Sequence, residues 1–293
     1  MSDRFAQLIT LMAALRAPNG CPWDRKQTHA SLKPYLLEET YEVLETIDQN
    51  DTAKLREELG DVLLQVIFHS QIAAESGTFT IDDVIDQLSA KLVRRHPHVF
   101  GDTAGAAKPS NGEQVLSQWE DIKRAERQAA GGSPSALDGV PKALPSLLRA
   151  FQVQARAARV GFDWSHDAAG LEDVFKKIAE ETGELREALA EAHADPAPTT
   201  GRDAITSELG DLLFSLVNLA RFIKVNPEDA LRQATNRFTD RFQLVEAQAA
   251  EQRRAMTDMS FAELDALWEE AKRRLREEPS PPTAQSVSKD LPA

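Results

Sequence analysis

Apolar residues recur at helical spacing along nearly the whole chain. Phe5, Leu8, Ile9, Met12 and Leu15 form one stripe, and Leu36, Leu37, Val43, Leu44 and Ile47 a second. Leu55, Leu59, Val62, Leu63, Val66 and Ile67 make a third. Steps of three and four residues gather such side chains on one side of a helix. Strand-like alternation is nearly absent, so the pattern predicts an all-α protein. Its breaks fall where helices need to end. Pro18-Asn19-Gly20-Cys21-Pro22 stops the first helix,. Ser76-Gly77-Thr78 closes a long helix that begins near Thr52, and Thr80 followed by Asp82 and Asp83 reads as the cap of a helix running towards Arg95,. A short helix is expected from Glu113 to Gln128, after a Gly/Ala/Pro/Ser-rich loop from Gly101 to Gly112.

The two halves repeat each other. Glu38-Glu39-Thr40-Tyr41-Glu42, then Glu58-Leu59-Gly60-Asp61, then Lys91 and Arg95 occur in the first. Glu180-Glu181-Thr182-Gly183-Glu184, then Glu208-Leu209-Gly210-Asp211, then Arg237 and Arg241 occur in the second. The preceding loops also correspond, with Gly20-Cys21-Pro22-Trp23-Asp24 against Gly161-Phe162-Asp163-Trp164. A duplicated helical unit explains this, and 293 residues suit two domains,. The expected division is a helical domain over 1–128, a linker over 129–145, a second helical domain over 146–277 and a disordered, proline-containing tail over 278–293.

Composition then narrows the chemistry. The formal net charge is −13, which repels phosphate backbones and argues against direct nucleic-acid binding. A polyanionic ligand would need a cation between it and the protein. The single cysteine, Cys21, excludes a disulfide framework and a multi-Cys zinc site,. No run of about 18 apolar residues spans a membrane and no signal peptide opens the chain, so the expected location is cytoplasmic.

The acids carry the functional signal. Glu39 with Glu42, and Glu58 with Asp61, are spaced i,i+3 on single helix faces that offer no base at i+4,. Beside an apolar stripe, such carboxylates are partly desolvated and repel one another. A dication shared between two helices removes that cost. An all-oxygen donor set suits Mg²⁺, with Mn²⁺ as a substitute. Gly60 and Gly210 are expected to let a neighbouring helix come close there. A lone Glu-Glu-x-x-Glu is ordinarily a solvated face; here it is followed by Glu-x-x-Asp and the arrangement occurs twice. Lys91 with Arg95 and Arg237 with Arg241 are i,i+4 pairs, and Lys177 lies one turn before Glu181. Alone these are solvated-face residues. Coupled to the acids they form a clamp for a small molecule bearing several phosphates.

This ensemble resembles the MazG family of nucleoside triphosphate pyrophosphohydrolases over nearly the whole chain. The resemblance rests on Asn19-Gly-Cys-Pro-Trp-Asp24, Leu37-Glu-Glu-Thr-Tyr-Glu-Val43, Glu58-Leu-Gly-Asp61, Arg94-Arg-His-Pro-His-Val-Phe100, Val160-Gly-Phe-Asp-Trp164 and Glu208-Leu-Gly-Asp-Leu-Leu-Phe214. It implies tandem all-α helical bundles and Mg²⁺-dependent cleavage of NTPs and dNTPs between the α and β phosphates to NMP and pyrophosphate. It further implies broad base specificity in nucleotide-pool house-cleaning, a homodimer, and hydrolysis mainly in the second half. The metal ligands carried over are Glu181, Glu184, Glu208 and Asp211; the phosphate contacts are Lys177, Arg237 and Arg241. Trp268 matches a position suited to stacking on the base, with core packing as the plain alternative. Glu180 or Glu181 is the candidate general base. Glu38, Glu39, Glu42, Glu58, Asp61, Lys91 and Arg95 form a second candidate site, assigned to architecture or regulation. Two departures stand out: Gly183 interrupts the motif helix, and the stretch from Ala192 to Asp203 is longer and Pro-rich,.

Other residues carry less. His96 and His98 flank Pro97 without further ligands at metal spacing, so a structural role is expected,. Cys21 lacks a partner that would mark it as a nucleophile. Gly131-Gly132 lacks the surroundings of a phosphate loop. The rival functions are a narrower pyrophosphohydrolase for dUTP, dCTP or phosphoribosyl-ATP, and a non-catalytic helical regulatory or adaptor protein. A di-iron bundle would need Glu-x-x-His pairs, which neither motif copy has.

Overall fold

The computed structural model describes residues 3–101, 109–129, 131, 135–194 and 200–277. Most of the loop expected between Gly101 and Gly112, the middle of the Pro-rich stretch after Ala192, and the tail expected over 278–293 lie outside them. The described residues contain helices and no strand. They divide into two compact units, the first within Met1–Glu126 and the second within Arg127–Glu278.

In the first unit the helices are α1 (Asp3–Arg16), α2 (Pro22–Lys26), α3 (Lys33–Gln49), α4 (Thr52–Glu75), α5 (Ile81–Arg95), α6 (Pro97–Phe100) and α7 (Gly112–Ala129), which runs to the boundary. Its centre is an antiparallel hairpin of α3 and α4, turned by Asn50 in the left-handed conformation. Asp51 caps α4 by accepting hydrogen bonds from the Ala53 and Lys54 amides, and Thr80 and Asp83 form a reciprocal capping box at the start of α5,. Met12 of α1, Leu32 and α4's Ile67 and Phe68 are buried together, with Phe5, Leu8 and Ile72 packed around them. Gly20 has no alternative at its turn, because a Cβ there would collide with the carbonyls of Ala14 and Leu15.

In the second unit the helices are α8 (Ser146–Arg159), α9 (Ala168–Ala194), α10 (Thr200–Phe222), α11 (Pro227–Glu251) and α12 (Phe261–Glu277), with a 3₁₀ turn at Met256–Asp258. α9 and α10 pair along their length, α8 lies on α10 and α11, and α12 lies on α11. Val174, Val217, Val245, Ala249 and Ala271 are buried in it. Gln154 of α8 donates to the Phe214 carbonyl of α10 at 2.8 Å. Each unit is therefore built on a long hairpin, and each hairpin carries one copy of the acid motif on both arms.

Candidate functional site

The i,i+3 spacing puts acids on one face of each helix, and hairpin packing turns those faces towards each other. In the first unit, carboxylate oxygens of Glu39 on α3 and of Glu58 and Asp61 on α4 lie within 4.8 Å of one another. Glu58 is only 6% exposed, and Lys54 reaches it from 3.8 Å. Glu42 shares hydrogen bonds with both Glu39 and Glu58. Burial raises the pKa of Glu39, and the charges of Asp61, Glu42 and Glu38 raise it further. Burial and the neighbouring Glu42 and Asp61 likewise raise that of Glu58 against the opposing pull of Lys54,.

In the second unit, oxygens of Glu181 and Glu184 on α9 and Glu208 on α10 meet within the same 4.8 Å. Glu181 is 4% exposed. Lys177 sits 2.8 Å from both Glu180 and Glu181, which pushes its ammonium pKa up. Glu184 is raised by desolvation and then by the charge of Glu181, with Lys177 pulling the other way. Asp211, one turn beyond Glu208 and exposed, is not among the three acids brought together. Each cluster offers oxygen donors alone, crowded enough to raise the pKa of Glu39 and Glu58 in the first and of Glu184 in the second. That donor set fits a hard dication.

The cations are distributed less evenly than their spacing suggests. Arg95 does not stand open beside the first cluster: it donates to Glu126 at 2.6 Å, as does Arg94. The two guanidiniums hold Glu126 down at about 2. The i,i+4 relation to Lys91 could not reveal this, because Glu126 arrives from α7. Lys91 is exposed. Arg237 is exposed, whereas Arg241 lies over the Trp268 ring at 5.9 Å. Trp268 also meets Phe238 at 5.2 Å, and Phe238 stacks on Phe242. Phe238 and Phe242 are additions to the sequence reading; their signal was the alternation of Arg and Phe at 237, 238, 241 and 242.

The expectation for Gly60 and Gly210 is corrected. A Cβ at Gly60 or Gly210 would meet nothing within 4 Å, so neither glycine serves a close helix approach inside its unit. The same holds for Gly183, which continues α9 without a packing reason to be glycine. His96 is tied to the Leu92 carbonyl at 2.7 Å and set edge-on against Trp119 at 4.8 Å, a packing role.

Comparison with known proteins gives consistent matches. A family model described as the MazG nucleotide pyrophosphohydrolase domain matches residues 27–100 and again 170–245. These two segments contain both acid clusters. A Thermotoga maritima protein named nucleoside triphosphate pyrophosphohydrolase/pyrophosphatase MazG is 46% identical over 268 residues, 92% of this chain and 95% of that one. An Escherichia coli nucleoside triphosphate pyrophosphohydrolase is 42% identical over 273 residues, 93% of this chain and 98% of that one. The uncharacterized Bacillus subtilis protein YabN is 47% identical over 268 residues, but these make up 51% of its length.

Proposed function

The chain belongs to the MazG nucleotide pyrophosphohydrolase family, and on that premise we propose that it hydrolyses nucleoside triphosphates, ribo- and deoxyribo- alike, between the α and β phosphates. The products are NMP and pyrophosphate, the cofactor is Mg²⁺ with Mn²⁺ as a substitute, and the role is cleaning of the cytoplasmic nucleotide pool. One observation carries the reading: Glu181, Glu184 and Glu208 converge across α9 and α10 within the second family match.

A dication held there would polarise phosphoryl oxygens and lower the pKa of a bound water. The protein's own groups supply the rest. Glu181, buried, and Glu184 and Glu208 beside it hold the cation, and Asp211 completes the set from the next turn. Glu180, exposed and joined to Lys177, is available to take a proton from the attacking water,. Lys177, Arg237 and Arg241 oppose charge gathering on the departing pyrophosphate. Trp268, with Phe238 against it, offers a flat apolar surface to a nucleobase, and stacking of this kind accepts any base,. The first unit, whose Arg95 is committed to Glu126, serves architecture or regulation. A homodimer is supported by leucines left exposed on the hairpin arms, among them Leu59 and Leu63 on α4 and Leu209 and Leu213 on α10,. Gly60 and Gly210, open to space, lie beside them.

The deciding experiment is pyrophosphate release from the eight common NTPs and dNTPs, with Mg²⁺ and with EDTA. Release from most of them, abolished by EDTA, is the expected result. One strongly favoured substrate would replace this reading with a narrower pyrophosphohydrolase, and no release from any would leave a binding protein.

A further inference from the structure

We propose that His29 and His69 form a proton-operated latch that closes the open end of the first hairpin and releases it in acid. His29 lies in the loop between α2 and α3, and His69 lies on α4. Their Nδ1 atoms are 2.8 Å apart, the ring planes differ by 6° and the centroids are 5.1 Å apart. The centroid distance exceeds the N–N distance by about one ring radius at each end, so the rings are coplanar and meet head-on. This is the geometry of an N–H···N hydrogen bond between two imidazoles. It does not suit a metal between them, since two Zn–N bonds of about 2.0–2.1 Å in line need about 4 Å.

Such a bond holds one proton between the two nitrogens. It forms when both rings are neutral, one donating and one accepting, and it persists when the pair carries a single charge. A second charge puts N–H against N–H and breaks it. Burial lowers the pKa of His69, and the charge of His29 lowers it further. The charged groups on the packed elements are otherwise engaged or exposed to solvent. Arg16 of α1 donates to Glu75 of α4 and to the Asp24 and Gln27 carbonyls. Asp83 of α5 is committed to Thr80. Arg25 and Lys26 of α2, Lys33 of α3, and Asp82 and Asp86 of α5 are exposed.

The latch sits where it controls the hairpin. Leu32, three residues after His29, is buried against Ile67 and Phe68, the two residues before His69. The same two helices carry Glu39 on one arm and Glu58 and Asp61 on the other. The second unit closes the equivalent end differently. Eleven residues after Glu58 stands His69, but eleven after Glu208 stands Leu219. There Arg221 of α10 grips Asp163 with both Nη atoms, and His166 lies 2.9 Å from Asp163. A proton on His166 adds attraction to that contact. Acid therefore loosens the first hairpin and leaves the second closed.

The test uses the full-length protein and does not involve turnover, so it stands whether or not the hydrolytic reading does. Side-chain NMR titration of His29 and His69 is combined with hydrogen exchange of the amides at 27–33 and 163–171, corrected for intrinsic rates, from pH 7.5 to 5. The two histidines are expected to titrate in two separated steps. Protection at 27–33 should fall about five- to tenfold across the second step, the loss of one hydrogen bond, while 163–171 holds. His69→Leu, which installs the residue of the second unit, and His29→Ala, which changes only an exposed side chain, should each flatten the response. The proposal is overturned if both histidines titrate independently in one step near the ordinary value, if 27–33 keeps its protection in acid, or if His29→Ala responds to pH as the parent does.

Discussion

Glu58 and Glu208 are the same residue in the same four-residue motif, and their surroundings separate them. Glu208 meets Glu181 and Glu184, of which Glu181 is paired with Lys177, whereas Glu58 meets Glu39, Asp61 and Glu42 and is itself reached by Lys54. Glu208→Ala is expected to lower pyrophosphate release at least about 100-fold, since even outer-shell changes at metal sites cost about 10–100-fold. Glu58→Ala should leave turnover close to that of the parent. Steady-state rates of the two variants side by side check this; loss of turnover in Glu58→Ala alone would reverse the assignment of the two units. At the aromatic surface, Trp268→Ala should raise KM about fivefold with little change in kcat, because a lost stacking contact is worth about 1 kcal/mol. A collapse of Tm instead would assign Trp268 to packing.

Helix ends and helix pairing depend on different information. Thr80 with Asp83 was legible as a cap, and Asp51 caps α4 in the same local way, because such bonds reach only two or three residues along the chain. Asp51→Ala should therefore cost about 1 kcal/mol of stability, read as a lower denaturation midpoint. The partner of Asp163 was not legible, because Arg221 is 58 residues away and only the pairing of α9 with α10 brings it there. Burial pushes the Asp163 pKa up, but the hydrogen bonds and charge of Arg221, joined by His166, outweigh it and hold the value below 3.8. A lowered carboxylate contributes stability that is complete above its unfolded value and lost as pH falls through the folded one. Arg221→Ala should cost about 3 kcal/mol at neutral pH by stranding a buried carboxylate, and much less at pH 3. Equal loss at both values would remove the ion pair as the cause.

For the molecule as a whole, crowding of acids makes metal and protons competitors. Glu39, Glu58 and Glu184 are held above 4.5, so without metal they favour the folded chain most at pH below 4.5. That contribution is lost as pH rises through the raised values. The rise in Tm on adding Mg²⁺ should accordingly grow from pH 5 to pH 8, and EDTA should abolish it; a Tm indifferent to Mg²⁺ at pH 8 would leave the clusters without their ion. The sequence by itself determined the helices, the duplication and the pairing of acids on each helix face, because periodicity, caps and i,i+3 spacing act over a turn or two of chain. Only the tertiary structure decided which carboxylates meet, since hairpin register includes Glu184 and leaves Asp211 outside the three. It also gave Arg95 to Glu126 and His29 to His69. Those contacts depend on where distant segments are set down against each other, and that placement is fixed by the packing of residues such as Leu32, Ile67 and Phe68 rather than by any local pattern.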